Sequence, residues 1–338
     1  MGDRSNIEWT DATWNPLAAF DKETGKRGWF CTKVSPGCKH CYAEALNKRL
    51  GTGHAYAVPN LEEVDFRLVN VDQPLRWKRP RRVFVNSMTD LFHEAVDHQD
   101  IAKVFSVMAG ASRHTFQVLT KRTDRMADLL SSPMFWAAVW VHGMEWAWDD
   151  ETLATLGEIG PSKPVPNIWL GTSVEDQERA NERIPHLLRT PAAVRFLSCE
   201  PLLGPVDLTG IYLDAMHEAH AIPCIADGVA WVIVGGESGP GARWMHVPWV
   251  RDLLGQCERW HCPIFVKQLG SMPADINTLL CHQPENPHTW PEDTVVPKEY
   301  TPEWQGQLAP IRLRDKKGGD MDEWPEGLRV REYPGKAQ

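Results

Sequence analysis

Six short apolar runs, each closing on a polar or glycine-rich turn, set the rhythm of this chain. They are RRVFVNSMTD (81–90), HTFQVLTKR (114–122), NIWLGTSVE (167–175), VRFLSCEPLLGP (194–205), AWVIVGGESG (230–239) and PIFVKQLG (263–270). Each reads as a buried strand of about four or five residues, bounded by turn residues. Stripes of helical period lie between them. Ile101, Val104, Phe105 and Met108 share one face in 99–109; Met126, Leu129 and Leu130 do so in 123–130; Val247, Val250, Leu253, Leu254 and Cys257 do so in 247–257. A sheet supplies the surface such stripes need. Strands that are apolar throughout and alternate with helices mean a parallel sheet. With one more strand near the amino terminus, the pattern predicts an α/β fold of about seven strands. A full or partial (β/α) barrel is the simplest arrangement, and an open doubly wound sheet is its rival.

Two stretches break the rhythm. Residues 131–166 are tryptophan-rich, then acidic, then proline-rich, and 206–229 hold a mixed segment around YLDAMHEAHAIPC. Both read as insertions into a barrel spanning 1–270. Residues 271–338, polar and rich in proline, read as an irregular extension that wraps it. No internal repeat exists beyond the strand–helix rhythm.

Composition narrows the setting. A chain of 338 residues can bury a sizeable core. Its 16 tryptophans are read first as packing residues. The amino-terminal stretch shows no apolar run ahead of a cleavage site, and no segment approaches the roughly 20 apolar residues of a membrane span. The expectation is a soluble, cytoplasmic protein without a membrane partner, whose thiols are reduced. A formal charge of −9 argues against affinity resting on phosphate neutralisation over a broad surface, though a local groove stays open. The basic run RWKRPRR (76–82) has the composition for phosphate contact and stacking. It leads into a strand, however, so it belongs to the end of the sheet opposite the expected site and reads as a solvated base.

Three of the eight cysteines fall within eleven residues: Cys31, Cys38 and Cys41, in CTKVSPGCKHCYAE. Pro36 and Gly37 make a tight turn before Cys38, and a helix begins near Tyr42 with Ala43, Leu46 and Leu50 on it. Thiolates benefit from a helix amino terminus. A structural zinc needs four ligands, which His40, His54 or a distant cysteine would complete. A [4Fe–4S] cluster is also usually held by four thiolates. Zinc, cluster and chance all stay open on the residues alone. Cys199, Cys224, Cys257, Cys262 and Cys281 form no further CxxC pair.

The loop resembles the cluster-binding loop of the radical S-adenosylmethionine (SAM) enzymes, which are partial or full (β/α) barrels. That resemblance implies a [4Fe–4S] cluster on Cys31, Cys38 and Cys41, with SAM chelating the open iron and cleaved reductively to a hydrogen-abstracting radical. His40 matches a position near the adenine. Cys31 and Cys38 stand further apart than in the family's usual loop, and the stretch ahead of Cys31 is longer. The chain as a whole is similar to a largely uncharacterised group of phage and prophage proteins. That similarity is carried by IEWTDATWNP, FVNSMTDLFH, FQVLTKR, IWLGTSVE, RFLSCEPLLGP, WVIVGGESGPGAR, FVKQLG and DKKGGD with EWPE and LRVRE. It implies no substrate.

In parallel α/β folds the chemistry lies beyond the carboxyl ends of the strands. The strand ends here carry Asn86, Ser87, Thr89 and Asp90; Thr120, Lys121 and Arg122; Thr172, Ser173 and Glu175; Cys199 and Glu200; Glu237 and Ser238; Lys267 and Gln268. Asn86, Ser87, Asp90, Ser173 and Lys267 are candidate cofactor contacts. So are Gly235, Gly236 and Glu237, since radical SAM enzymes carry a glycine–glycine–glutamate element against the SAM amine, although on an earlier strand. Cys199, Glu200, Lys121 and Glu175 are candidate catalytic groups: Cys199 as a hydrogen-atom donor, Lys121 with Arg122 as an anion clamp or as partners of Glu175 or Glu200. Plainer readings stand beside these. Glu237 would cap a helix, and Cys199 would be an inert core thiol. GGESGPG lacks the spacing of a dinucleotide or phosphate loop. His93 and His98 lack the spacing of a zinc-protease helix.

Two functions of different class follow. The first is a radical SAM enzyme using a [4Fe–4S] cluster, SAM and a reductant protein or other electron donor, on a substrate that the phage resemblance leaves open to nucleotides and nucleic acids. The second is a non-catalytic zinc- or cluster-stabilised phage binding protein. A hydrolase using Asp90, Glu175 and Glu200 is a third.

Overall fold

The computed structural model describes residues 5–146, 150–211, 223–276 and 308–335. The chain divides into two compact units. One comprises Met1–Thr172 with His186–Phe196, the other Ser173–Pro185 with Leu197–Lys336.

The first unit opens with β1 (Ala12–Trp14), β2 (Leu17–Asp21), β3 (Arg27–Gly28), α1 (Tyr42–Leu50), β4 (Val64–Leu68) and α2 (Gln73–Arg76). It continues with β5 (Arg82–Val85), α3 (His98–Gly110), β6 (Thr115–Thr120), α4 (Thr123–Leu130), α5 (Pro133–Met144), α6 (Asp150–Glu158) and β7 (Ile168–Ser173), whose last residue already belongs to the second unit. α7 (Gln177–Arg189) and β8 (Val194–Cys199) are shared by the two units. The second unit holds β9 (Trp231–Gly235), β10 (Met245–His246), α8 (Val247–Arg259), β11 (Ile264–Gln268), β12 (Pro273–Ile276) and β13 (Leu308–Pro310).

Seven strands form one sheet in the order β1-β5-β6-β7-β8-β9-β11. The β1–β5, β5–β6, β6–β7 and β9–β11 pairs are parallel. Strand order follows chain order without a reversal. A doubly wound sheet requires such a reversal, so that rival falls. Crossovers that all step the same way are the winding of a partial (β/α) barrel.

β5 to β9 and β11 each grow from one of the six apolar runs, with interiors buried at almost every position. The helices fall on the periodic stripes. Asp97 starts α3 by accepting a hydrogen bond from the Gln99 amide, and Ile101, Val104, Phe105 and Met108 are buried beneath it. The 131–166 stretch folds into α5 and α6. Trp136 anchors α5 by donating its indole N–H to the Leu130 carbonyl at 2.7 Å. Trp9, Trp14, Trp77, Trp136, Trp231, Trp249 and Trp324 are all buried, the packing role expected of the tryptophans.

A small antiparallel sheet, β3-β2-β4, belongs to the first unit and leads directly into the cysteine loop. Residues 212–222 of the second insertion and 277–307 of the extension lie outside the described residues. Among the described residues no helix is long and apolar enough to cross a membrane.

Candidate functional site

The cysteine loop runs from β3 to α1, and a polar scaffold beneath it fixes its ends. Asn47, wholly buried on α1, accepts the Trp29 and Thr52 amides on Oδ1 at 2.9 and 3.1 Å. Its Nδ2 donates to Thr52 Oγ1 and the His54 carbonyl at 2.9 and 3.0 Å. A side chain that uses its amide this fully is a clamp. Gly28 and Gly51 leave room for it, because a Cβ at either would collide with Asn47. Glu44, also buried on α1, accepts the Tyr56 amide at 3.1 Å and pairs with Lys33 at 2.7 Å and Lys48 at 3.2 Å. Burial works against its charge, yet these partners hold its carboxyl below the usual range.

Pro36–Cys38 forms a single 3₁₀ turn, closed by the Cys38 amide donating to the Ser35 carbonyl at 2.9 Å. Ser35 Oγ sits 3.8 Å from Cys38 Sγ. Cys41 immediately precedes α1. All three cysteines are free thiols, half-buried, and Cys31 and Cys41 pack on a core of Phe30, Ala43, Tyr56 and Met88. Burial pushes the Cys31 thiol up to about 12, against the pull of the Arg122 guanidinium; the thiols of Cys38 and Cys41 add to the rise. Burial also raises Cys41, while the Glu44 and Ala43 amides at the start of α1 favour its thiolate. Burial thus favours the protonated thiols of Cys31 and Cys41, and a bound metal would displace those protons.

Arg122, just past β6, reaches into the loop. All five of its N–H donors are engaged. Nε donates to Glu94 at 2.8 Å, Nη1 to Asp90 at 3.0 Å and to Cys31 Sγ at 3.7 Å, and Nη2 to the Thr32 carbonyl at 3.2 Å and Thr32 Oγ1 at 2.8 Å. Asp90 is itself enclosed. Burial alone would raise its carboxyl, but Arg122, Thr120 Oγ1 at 2.7 Å and the Lys121 and Phe92 amides hold it below the usual range. His93 completes the cluster. Its Nδ1 accepts the Ala95 amide at 3.2 Å, so the ring proton sits on Nε2 and faces Thr32 Oγ1 at 3.0 Å. Burial, helped by Arg122, drives His93 down to about 4, and it is neutral near pH 7.

The turn after β5 closes on the same region. The Met88 amide donates to Asn15 Oδ1 at 3.0 Å, Tyr56 donates its hydroxyl to the Met88 carbonyl at 3.0 Å, and Tyr42 donates to the Ser87 carbonyl. Asn86 takes a positive φ of 54° there. Its Nδ2 and the hydroxyl of Thr89 are buried with no hydrogen-bond partner among the described residues. Buried donors without a partner are costly, and a bound group that accepted from them would recover that cost. His40 is exposed on the loop.

In the second unit the strand ends are occupied by the protein itself. Lys267 pairs with Glu200 at 2.9 Å, and Ser198 Oγ donates to Glu200 at 3.4 Å. A Cβ at Gly235 would strike the Glu200 carboxylate, and one at Gly236 the Leu269 carbonyl. These glycines admit protein groups, where sequence reasoning expected a bound one. Glu237 caps no helix. It holds Arg243, which donates from Nη2 at 2.6 Å, Nε at 3.0 Å and its amide at 2.9 Å. Glu175 is buried against Arg183 at 2.8 Å, and Arg183 also donates to the Ser173 carbonyl at 2.9 Å. Cys199 is wholly enclosed, and burial raises its thiol. The expected partners of Arg122 thus differ: it takes Asp90 and Glu94, while Glu175 takes Arg183 and Glu200 takes Lys267. Lys121 contributes its amide to Asp90.

Thr32, Asn47 and Glu94 were not singled out from sequence. Asn47 alone left a signal, a polar residue one turn from Ala43 on the buried face of α1.

The profile of one family, described as protein of unknown function (DUF5131), matches residues 4–317. The chain belongs to that family. No curated protein and no solved structure matches it. Family membership therefore adds only the extent of the family's unit along the chain. Among the described residues no group of three or more His, Cys, Asp or Glu side chains is arranged to hold a single metal ion. A tetrahedral zinc site brings its ligands to within about 2.3 Å of one point. In a cubane cluster each thiolate binds a different iron, so the sulfurs need only surround the cube.

Proposed function

We propose that this chain is a radical SAM-type enzyme whose Cys31, Cys38 and Cys41 hold a [4Fe–4S] cluster with one iron left for SAM. The observation that carries this is the set of three free, half-buried thiols on one loop, with donors directed at the site from the protein around them. Arg122 donates to Cys31 Sγ, and the amides at the start of α1 favour the thiolate of Cys41. Ser35 Oγ lies beside Cys38 Sγ. When bound, the cluster with SAM supplies reductive cleavage of SAM and hydrogen-atom abstraction.

The chain's own residues orient and shield. Asn47 and Glu44 lock the ends of the loop, Pro36–Cys38 presents Cys38 on a rigid turn, and the Phe30–Tyr56–Met88 core keeps water from the inner side of Cys31 and Cys41. His40 is exposed and free of that core, as a residue stacking on an adenine would need to be. A reductant protein or other electron donor is implied. The proposal rests on first-unit residues alone. Glu237 and Lys267 are engaged within the second unit by Arg243 and Glu200.

Anaerobic reconstitution with iron and sulfide tests it. About four irons and four sulfides per chain, lost in Cys38→Ala, are expected. 5′-Deoxyadenosine should then form from SAM under reduction. Stoichiometric zinc with neither SAM binding nor SAM cleavage would replace this reading with a metal-stabilised binding protein.

A further inference from the structure

Resting on the cluster reading above, we infer that Arg122 is a positioning residue that raises the reduction potential of a cluster ligated by Cys31, and that Glu94 moderates its effect. The geometry is specific to a guanidinium. Five donors meet five acceptors, and the Cys31 sulfur is the fifth. A lysine has three donors around one point and could not reach Asp90, Glu94, both oxygens of Thr32 and the sulfur together. Arg122 is only 4% exposed, so its charge acts with little screening by solvent.

Reduction adds one electron to the cluster. No bond to Cys31 or Arg122 forms or breaks, and no proton is needed on the sulfur. The added negative charge is shared with the ligating thiolates, so a fixed cation and an N–H on one of those sulfurs stabilise the reduced state more than the oxidised state. Hydrogen bonds to sulfur and local net charge are two of the levers that set cluster potentials. Asp90 and Glu94 oppose Arg122. Asp90 is buried with it, as the anion that keeps the guanidinium in place. The Glu94 side chain is 63% exposed, so its counter-effect is weaker and more screened by salt.

A purely structural clamp would make the opposite prediction from a tuning residue. If Arg122 only braced the loop, removing Glu94 would loosen it and leave the potential where it was. If Arg122 tunes the cluster, removing the Glu94 charge strips away an opposing anion and makes reduction easier.

The test is a dithionite titration of the anaerobically reconstituted full-length chain, following the signal of the reduced cluster by electron paramagnetic resonance. Arg122→Gln should shift the reduced-to-oxidised ratio at a given potential at least tenfold toward the oxidised form, a fall of about 59 mV for one electron. Glu94→Gln should move the ratio the other way by a smaller factor, with the shift shrinking as salt is added. Arg122→Lys should fall between wild type and Arg122→Gln, because it keeps charge and loses the fork. Arg122→Gln leaves Asp90 buried without its cation and can fail to fold; Glu94→Gln, altering an exposed carboxylate, then decides alone. A wild-type cluster whose potential is the same in Glu94→Gln overturns the inference and leaves the function standing. A wild-type chain that assembles no cluster overturns both.

Discussion

The cysteines of the two units sit in opposite chemical situations. In the first, Cys31, Cys38 and Cys41 are half-buried on a loop; Arg122 donates to the Cys31 sulfur, which itself donates to the Thr32 carbonyl at 3.5 Å, and the amides at the start of α1 favour the thiolate of Cys41. In the second, Cys199, Cys224, Cys257 and Cys262 are buried, and where their thiols are engaged they donate outward: Cys224 to the Leu208 carbonyl at 3.2 Å, Cys262 to the Val229 carbonyl at 3.4 Å. Burial drives the Cys199 and Cys224 thiols up, although the Ile225 amide favours the Cys224 thiolate. Burial also raises Cys31, but there the Arg122 cation opposes it. A thiol count alone would group these seven together. Exposure and, for Cys31, the adjacent Arg122 cation separate the set that can ligate from the set that fills space.

The sharpest way to break this contrast is to exchange the two sets. Cys38→Ala should abolish iron loading, while Cys257→Ala should load as wild type; equal loss in both would show that the loop is not the site. Labelling with a maleimide should agree. Loop thiols react in the folded chain, and Cys199, Cys224, Cys257 and Cys262 react only on denaturation.

The buried ion pairs extend the comparison. Asp90→Ala leaves the buried Arg122 with only the exposed Glu94 carboxylate, Glu175→Ala leaves the buried Arg183 without its carboxylate partner, and each should cost about 3–5 kcal/mol in urea unfolding. Only Asp90→Ala should also impair cluster loading, because only Arg122 touches a loop cysteine. If Glu175→Ala impaired loading to the same degree, the loss would be one of general stability.

Acid should weaken both units over the same window. His93 and His246 are each pushed down to about 4 by burial. A histidine depressed in the fold takes up a proton on unfolding, so its contribution is complete above its unfolded value of about 6.5 and drains away as pH falls toward 4. Each would contribute up to about 3 kcal/mol over that range. His93→Phe should therefore flatten the slope of stability against pH between 6.5 and 4 only in part, leaving the share due to His246; an unchanged slope would show that His93 is not buried neutral. Smallest of all, Cys199→Ala should cost about 1 kcal/mol and leave iron loading intact.

Much of this was legible in the chain. The six apolar runs became β5 to β9 and β11, with ends within a few residues of the turns that bounded them. The stripes through Ile101, Met126 and Val250 became α3, α4 and α8, because period and length are local properties. The cysteine loop could be read as a candidate centre from spacing and Pro36–Gly37. Partner choice could not. Arg122 meets Glu94 at 28 residues' separation, Asp90 at 32 and Thr32 at 90. Any of the acidic strand ends offered it an equally plausible carboxylate. Gly235 and Gly236 show the same limit: sequence shows that something comes close, and the fold brings the Glu200 carboxylate to the first and the Leu269 carbonyl to the second.

Periodicity, turn chemistry and the clustering of three thiols were thus determined by the sequence itself, since each depends on neighbours a few residues away along the chain. The winding without reversal, the fivefold engagement of Arg122 and the Asn86 Nδ2 left without a partner among the described residues were decided only by tertiary structure. They depend on which distant strand end is brought beside which, and that is set by the summed burial of the whole sheet, to which no short stretch holds the answer.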